Sequence, residues 1–255
     1  MVKRFLEMKE RGEKISVLTA YDMPSASIMD EAGIDAILVG DSLGMVMLGY
    51  TNTQAVTMHD MLEHVRPVAR GAKNAHVIGD MPYKSFDTPS EAVKNARLLV
   101  EAGAQSVKVE GDLPDVVEAL IAEDIQVMGH VGLTPQTITK FRVQGRDEES
   151  AKKIVDGALS LEKSGCYSIV LECIPVALAK TITESLKIPT IGIGAGPHCD
   201  GQVMVSHDML GIFNDFEPKF VKKYANIREE MKKAFQEYNN EVKKGSYPDL
   251  EHSYE

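Results

Sequence analysis

Short apolar segments that end in an acid or a histidine recur along the chain, and this repeat constrains the possible folds more than any other feature. Five such segments are residues 36–41, 76–80, 106–111, 126–130 and 168–172. Helical patterns lie between them, so that strands and helices alternate about eight times. Alternation of this kind predicts a parallel sheet whose strands are connected by helices.

The polar residues lie at the carboxyl ends of strands that are spread over the whole sequence. A closed (β/α)8 barrel brings all of these ends to one rim, where barrel enzymes have their active sites. A doubly wound open sheet binds ligands only near its switch point, so it would not gather five polar ends. We therefore predict that the 255 residues form an α/β TIM barrel.

We expect a single domain over residues 1–255, because no linker or change of composition divides the sequence. A leading helix is predicted over 3–11. Apolar residues that recur every three or four positions predict a C-terminal amphipathic helix that starts at Pro218 and stops before Gly245. The last ten residues form a tail.

The composition excludes several classes of protein. The net charge of −10 and the pI of about 5.3 argue against a nucleic-acid or anionic-membrane surface. The N-terminus has no continuous apolar run, and no stretch is long enough to span a bilayer, so we expect a soluble cytoplasmic protein. The three cysteines are odd in number and lack the spacing of metal ligands, so no disulfide framework is expected.

The predicted strand at 106–110 contains charged side chains at positions that we expect to be buried. Val107 and Val109 alternate with Lys108 and Glu110, so the charged side chains share the opposite face of the strand. Charged groups are costly inside a protein unless they are paired. Lys108 could neutralise a carboxylate, or it could meet an anionic ligand at the mouth of the barrel.

Three acids, Asp41, Asp80 and Glu110, end or follow three of the predicted strands. Carboxylates that converge repel one another unless a cation lies among them, and hard oxygen ligands favour Mg²⁺. The alternative is that each acid caps the next helix. This alternative is weak for Asp80 and Glu110, because Thr88 and the turn before Pro114 provide separate helix starts, whereas for Asp41 it stays open.

Glu172 and His130 come from other sectors of the predicted barrel. An acid across the cavity from a metal is suited to removing a proton from a bound substrate, although Glu172 could instead form an ion pair with Lys108 or Arg142. His130 could be a pocket residue or a satisfied core histidine, and the sequence leaves both readings open.

Seven motifs together resemble the ketopantoate hydroxymethyltransferase family, and the match runs in order from about residue 3 to 215. The motifs are residues 19–22, 39–45, 107–111, 129–136, 143–146, 171–175 and 191–196. The resemblance implies a TIM barrel related to the phosphoenolpyruvate mutase and isocitrate lyase group. It also implies a homodecamer of two pentameric rings that uses Mg²⁺. One departure is the interval 137–142, which is shorter than the family pattern.

The resemblance also implies roles for individual residues. The implied metal ligands are Asp41, Asp80 and Glu110. The implied substrate-binding residues are Asp41, Ser42, Asp80, Lys108 and His130. Glu172 matches the proton acceptor of the family.

The implied reaction transfers a hydroxymethyl group from 5,10-methylenetetrahydrofolate to 3-methyl-2-oxobutanoate through a Mg-stabilised enolate. The product is 2-dehydropantoate, an intermediate of pantothenate and coenzyme A biosynthesis. The alternative is a Mg-dependent carbon-carbon lyase of the same superfamily, although such lyases typically use a cysteine on a mobile loop. A non-catalytic metabolite-binding barrel would be favoured by the loss of one of the four acids, and all four are present.

Overall fold

The computed structural model describes residues 2–137, 142–213 and 218–254. The chain divides into two compact units, Met1–Val205 and Ser206–Glu255. The single-domain assignment stays a prediction. Most of the shortened interval, residues 138–141, lies outside the described residues.

The first unit is a closed barrel of eight parallel strands, in which each strand pairs with the next along the chain and β8 closes onto β1. The strands are β1 (Ile15–Thr19), β2 (Ala36–Val39), β3 (His76–Asp80), β4 (Ser106–Glu110), β5 (Val127–Gly132), β6 (Ser168–Glu172), β7 (Thr190–Ile193) and β8 (Gly201–Met204). The predicted TIM barrel is therefore confirmed.

Helices surround this barrel in the first unit. They are α1 (Lys3–Glu10), α2 (Met23–Glu31), α3 (Leu43–Val46), α4 (Met58–Gly71), α5 (Pro89–Glu101), α6 (Pro114–Ala122), α7 (Glu148–Lys163) and α8 (Val176–Ser185). A 3-10 turn, Thr53–Ala55, follows α3. The α4 helix continues through Pro67 to Gly71, so the proline does not end it.

Two apolar clusters follow from the alternation of side chains along the strands. Val107 and Val109 belong to the large cluster that packs between the barrel and its helices. A second cluster fills the barrel interior and includes Ile78 and Met128, together with Phe5 of α1. The leading helix thus buries its apolar face against the barrel interior, which leaves the polar groups at the opposite ends of the strands.

The helix starts show that the strand-end acids do not act as caps. Thr88 caps α5, where its side chain accepts a hydrogen bond from the backbone N–H of Glu91. The α6 helix begins after Leu113 and has no side-chain cap, and α3 begins after Ser42. Since no acid from a strand end occupies a cap position, the capping alternative is wrong for Asp41, Asp80 and Glu110.

The second unit contains a short helix, α9 (Ser206–Met209), and a long helix, α10 (Ile227–Lys244), which ends at Gly245 in a left-handed conformation. The prediction that the long helix starts at Pro218 is wrong. The backbone N–H groups of Tyr224 and Ile227 donate to Met209 and Leu210, so the preceding segment bonds to another part of the unit instead of forming helical turns. No helix among the described residues is long and apolar enough to cross a membrane.

Candidate active site

Three carboxylates lie at the carboxyl ends of adjacent strands. Asp80 ends β3, Glu110 ends β4, and Asp41 follows β2 after one glycine. All three are buried, with Asp80 only 1% exposed. The backbone N–H of Asp41 donates to Asp80 Oδ2 at 3.1 Å, which joins the ends of β2 and β3 directly. The structure therefore brings the three acids to one rim, as the strand pattern predicted.

Lys108 pairs with one of these acids. Its Nζ lies 2.7 Å from Asp80 Oδ1, and both side chains are almost completely buried. Strand pairing explains the contact, because Asp80 and Lys108 are register partners on β3 and β4. Burial alone would lower the pKa of Lys108, but the charges of Asp80, Asp41 and Glu110 outweigh this effect and raise its pKa. Lys108 is therefore a permanent cation at this rim.

One lysine does not balance three buried acids. Burial raises the pKa of Asp80 to about 7, opposed by Lys108 and increased further by Asp41. Burial likewise raises the pKa of Glu110 to about 9, again against the effect of Lys108. Because the charge of Asp41 adds to the effect of burial on both Asp80 and Glu110, the site has a deficit of positive charge, which a divalent cation would correct.

Gln136, from the segment after β5, connects the same acids. Its side-chain Nε2 donates to Asp41 Oδ2 at 2.9 Å and to the carbonyl oxygen of Met81 at 3.0 Å. Its backbone N–H donates to Glu110 Oε1 at 2.9 Å. Gln136 is 1% exposed and was assigned no role from the sequence.

Ser42 lies beside Asp41 and is held by a buried tyrosine. The Ser42 Oγ is 2.9 Å from the hydroxyl of Tyr21, and the Tyr21 carbonyl oxygen is 2.6 Å from His64 Nδ1. Tyr21 is 1% exposed. The predicted substrate-binding serine thus has a fixed partner on the neighbouring strand connection.

His130 links two sides of the rim. Its Nδ1 is 3.6 Å from Glu110 Oε2, and its Nε2 is 3.3 Å from Glu172 Oε2. Burial lowers the pKa of His130, an effect that outweighs the opposing effect of Glu172, so the imidazole is neutral near pH 7. Both ring nitrogens of His130 therefore face carboxylates of the rim, which places it among the predicted site residues.

Glu172 is more accessible than the other acids, with 17% of its side chain exposed. Its carboxylate lies beside the neutral ring of His130, while Lys108, proposed as its alternative partner, pairs with Asp80. The backbone carbonyl of Glu172 accepts a hydrogen bond from Leu133 N at 2.8 Å. A partly accessible carboxylate that is fixed by its backbone can accept a proton from a molecule in the barrel mouth.

The donor set suits a hard cation. Among the described residues, no three Asp, Glu, His or Cys side chains are arranged so that together they could hold a metal ion. The carboxylates of Asp41, Asp80 and Glu110 bind protein donors instead, and Gln136 Oε1 is buried with no hydrogen-bond partner. Carboxylate and amide oxygens without sulfur ligands are the donors that Mg²⁺ prefers, so the residues fit this ion by their chemistry.

Solved structures with related folds confirm the barrel type. Phosphonopyruvate hydrolase, in a complex with oxalate and Mg²⁺, aligns with a TM-score of 0.66 at 13% identity, covering 98% of this chain and 92% of that one. A second structure is 2,3-dimethylmalate lyase, a member of the phosphoenolpyruvate mutase/isocitrate lyase superfamily. It aligns with a TM-score of 0.62 at 15% identity, covering 100% of this chain and 91% of that one. At this level of identity the likeness concerns the fold alone.

Sequence relatives are much more similar. The 3-methyl-2-oxobutanoate hydroxymethyltransferase of Clostridium kluyveri is 54% identical over 260 residues, covering 99% of this chain and 93% of the relative. The protein of the same name from Enterococcus faecalis is 53% identical over 257 residues, covering 98% and 94%. A family model described as ketopantoate hydroxymethyltransferase matches residues 1–250. The chain therefore belongs to the ketopantoate hydroxymethyltransferase family.

Proposed function

We propose that the chain transfers a hydroxymethyl group from 5,10-methylenetetrahydrofolate to 3-methyl-2-oxobutanoate, which yields 2-dehydropantoate and tetrahydrofolate. The observation that carries this proposal is the rim itself. Three acids and Lys108 lie on adjacent strands, and His130 connects them to a more accessible acid, Glu172. The names of the sequence relatives support the same reaction.

Asp41, Asp80 and Glu110 are the proposed ligands of one Mg²⁺ ion. Bound there, Mg²⁺ would polarise the ketone of the oxo acid, which makes the hydrogen on the branched carbon more acidic. The charge deficit of the three acids supports this assignment. Calorimetry with MgCl₂ tests it directly, and a chain that takes up no Mg²⁺ would contradict it.

Lys108 and Ser42 are proposed to bind the carboxylate end of the oxo acid. Lys108 keeps its charge, because the neighbouring acids raise its pKa. Asp41 and Asp80 contribute to substrate binding from the same rim, and the neutral His130 supports the substrate from β5. A fixed cation beside the reacting oxygen also stabilises the negative charge that develops there.

Glu172 is the proposed base. It takes the proton from the branched carbon, and the resulting enolate attacks the one-carbon unit of the folate. Both carbon-nitrogen bonds that join the methylene carbon to the folate break, as the new carbon-carbon bond forms and water supplies the oxygen of the hydroxymethyl group. The two nitrogens take up the proton from the branched carbon and one proton from water, which gives tetrahydrofolate. His130, 3.3 Å from Glu172 Oε2, is suited to orient the carboxylate for this step.

Hydrogen exchange at the branched carbon tests the role of Glu172. With Mg²⁺ present in heavy water and no folate, the parent protein should exchange this hydrogen, whereas Glu172→Gln should be slower by about 100-fold or more. The exposed Glu149 on α7 provides a matched control, since Glu149→Gln should exchange at the parent rate. Equal exchange by Glu172→Gln and the parent would exclude Glu172 as the base.

The described cysteines do not favour the lyase alternative. Cys166 and Cys199 are buried, and burial raises the pKa of Cys166 to about 12. Cys173 is half-buried, and burial raises its pKa to about 11. A turnover assay with and without the folate substrate distinguishes the two reactions, because a lyase would cleave its substrate without folate.

We also propose that the chain works on these small molecules in the cytoplasm, as a homodecamer of two pentameric rings. This proposal follows from the family resemblance. Light scattering on the purified protein should give a mass ten times the 28.0 kDa of the single chain. A particle of one or two chains would contradict the decamer.

A further inference from the structure

Gln136 makes more contacts with the acidic rim than any role assigned so far explains. It follows β5, yet its side chain and backbone reach Asp41 after β2, Met81 after β3 and Glu110 at the end of β4. Its own carbonyl oxygen accepts a hydrogen bond from Gln54 Nε2 at 2.9 Å, which fastens it to the segment after α3. One residue therefore joins the ends of four strands.

The hydrogen bonds fix the orientation of the Gln136 amide. Asp41 Oδ2 and the Met81 carbonyl can only accept, so the nitrogen of the amide faces both of them. The amide oxygen, Oε1, is then buried without a partner. A buried acceptor that lacks a donor is unfavourable, which makes a cation or a donating group favourable at this place.

The two acids that Gln136 contacts are held through different atoms. The side chain holds Asp41, and the backbone N–H holds Glu110. A substitution of the side chain therefore releases Asp41 and Met81 but keeps the hydrogen bond to Glu110. This separation makes the contribution of the amide measurable on its own.

We infer that Gln136 is a positioning residue that orients Asp41 relative to Glu110 and thereby sets the affinity of the acidic rim for a divalent cation. This inference rests on the proposed function, because it takes these acids as the ligands. Partners that orient ligating carboxylates typically change metal affinity by about 10- to 100-fold when they are removed.

The test compares Gln136→Met with the parent by calorimetric titration of MgCl₂, without substrates. Methionine keeps the length of the side chain but cannot donate to Asp41, so we expect the dissociation constant for Mg²⁺ to rise about 10-fold or more. In Gln136→Asn the amide is one methylene too short to reach Asp41, so the dissociation constant for Mg²⁺ should rise as well. This second variant replaces Gln136→Met in the test if the methionine variant does not fold. Thermal unfolding in EDTA establishes that each variant is folded.

Gln144 supplies the matched control. It lies in the same connection, and among the described residues its side chain donates to the carbonyl oxygen of Arg142 and to no carboxylate. Gln144→Met should leave the dissociation constant for Mg²⁺ within two-fold of the parent. Raised Mg²⁺ should restore hydroxymethyl transfer by Gln136→Met, because a positioning residue acts through the bound ion.

The outcomes separate the two proposals. A parent protein that binds no Mg²⁺ would overturn the proposed metal site, and the inference with it. A parent that binds Mg²⁺ and transfers the hydroxymethyl group, with a Gln136→Met variant of equal affinity, would overturn the inference alone. A loss of transfer that saturating Mg²⁺ does not restore would also overturn it, since it indicates a role other than positioning the ligands.

Discussion

Some residues of the rim could be predicted from the sequence, and others could not. Asp80, Lys108 and Glu110 could be predicted, because strand alternation and neighbouring registers place them on one face. Tyr21 and Gln136 could not, because their hydrogen bonds to Ser42 and Asp41 span 21 and 95 residues of sequence. No periodicity encodes such contacts, which arise only when the barrel closes.

The hydroxyl of Tyr21 should matter for substrate binding through Ser42. Tyr21→Phe keeps the buried ring but removes the partner of Ser42 Oγ, so the serine loses its fixed orientation. A hydrogen bond worth about 0.5–1.5 kcal/mol corresponds to a KM for the oxo acid that is roughly 2- to 12-fold higher. Steady-state kinetics at saturating folate would measure this change.

Tyr167→Phe is the control for this prediction. Its hydroxyl is also buried and hydrogen-bonded, at 3.0 Å from Ser106 Oγ, but Ser106 begins β4 and so lies at the end of the barrel opposite the acids. We expect Tyr167→Phe to lower stability and to leave the KM unchanged. If Tyr21→Phe also has the KM of the parent, Ser42 does not depend on Tyr21.

At the scale of elements, the strands were more predictable than the helix boundaries. The predicted spans of β3 and β4 agree with the structure, because short apolar runs between polar residues have clear limits. The α10 start was misplaced, since the spacing of Phe220 and Tyr224 suits a helix but does not report where their backbone groups bond. Local pattern predicts a helix only where no tertiary partner competes for its hydrogen bonds.

The junction of β5 and β6 should tolerate no side chain at Gly132. Its φ is +102°, and an added Cβ would lie 2.3 Å from the carbonyl oxygen of Glu172 and 2.9 Å from Ile174. Gly132→Ala should therefore destabilise the protein by about 3 kcal/mol, through backbone strain and overlap, and lower Tm by roughly 6–12 °C. It should also reduce kcat, because the backbone of the proposed base must shift.

Gly12→Ala separates strain from overlap in this prediction. Gly12 also has a positive φ, +69°, but an added Cβ there would meet nothing within 4 Å. We expect Gly12→Ala to lower the free energy of unfolding by only about 1 kcal/mol and Tm by roughly 2–4 °C, with kcat unchanged. Equal Tm losses for both variants in differential scanning calorimetry would show that the close approach at Gly132 has no energetic consequence.

On the scale of the whole barrel, the two ends of the strands have different chemistry. The carboxyl ends carry the acids, whereas the amino ends carry a small polar cluster in which His76 Nε2 is 2.8 Å from Ser106 Oγ. Phe5 of α1 covers this cluster, with its ring 5.4 Å from that of His76. The sequence predicted the barrel, because the repeat is regular. It placed His76 at the start of a strand but did not indicate that this histidine is buried in a polar cluster.

His76 should make the stability of the barrel depend on pH. Burial, aided by the charge of Arg4, lowers the pKa of His76 to about 4, compared with about 6.5 in an unfolded chain. At pH values between these two pKa values, His76 is protonated in the unfolded chain but not in the folded chain. This contribution to stability is therefore complete above pH 6.5 and is lost as the pH falls toward 4, by up to about 3 kcal/mol.

Urea unfolding of the parent and His76→Gln between pH 4.5 and 7.5 measures this effect. Asp80 and Glu110, whose raised pKa values have the opposite effect on stability as the pH rises, contribute equally to both proteins and cancel in the difference. The free energy of unfolding of the parent relative to the variant should fall by about 1.4 kcal/mol per pH unit below 6.5. If the difference in the free energy of unfolding between parent and variant does not change with pH, His76 has the same pKa in the folded barrel as in the unfolded chain. The polar cluster beneath Phe5 would then tolerate a protonated histidine.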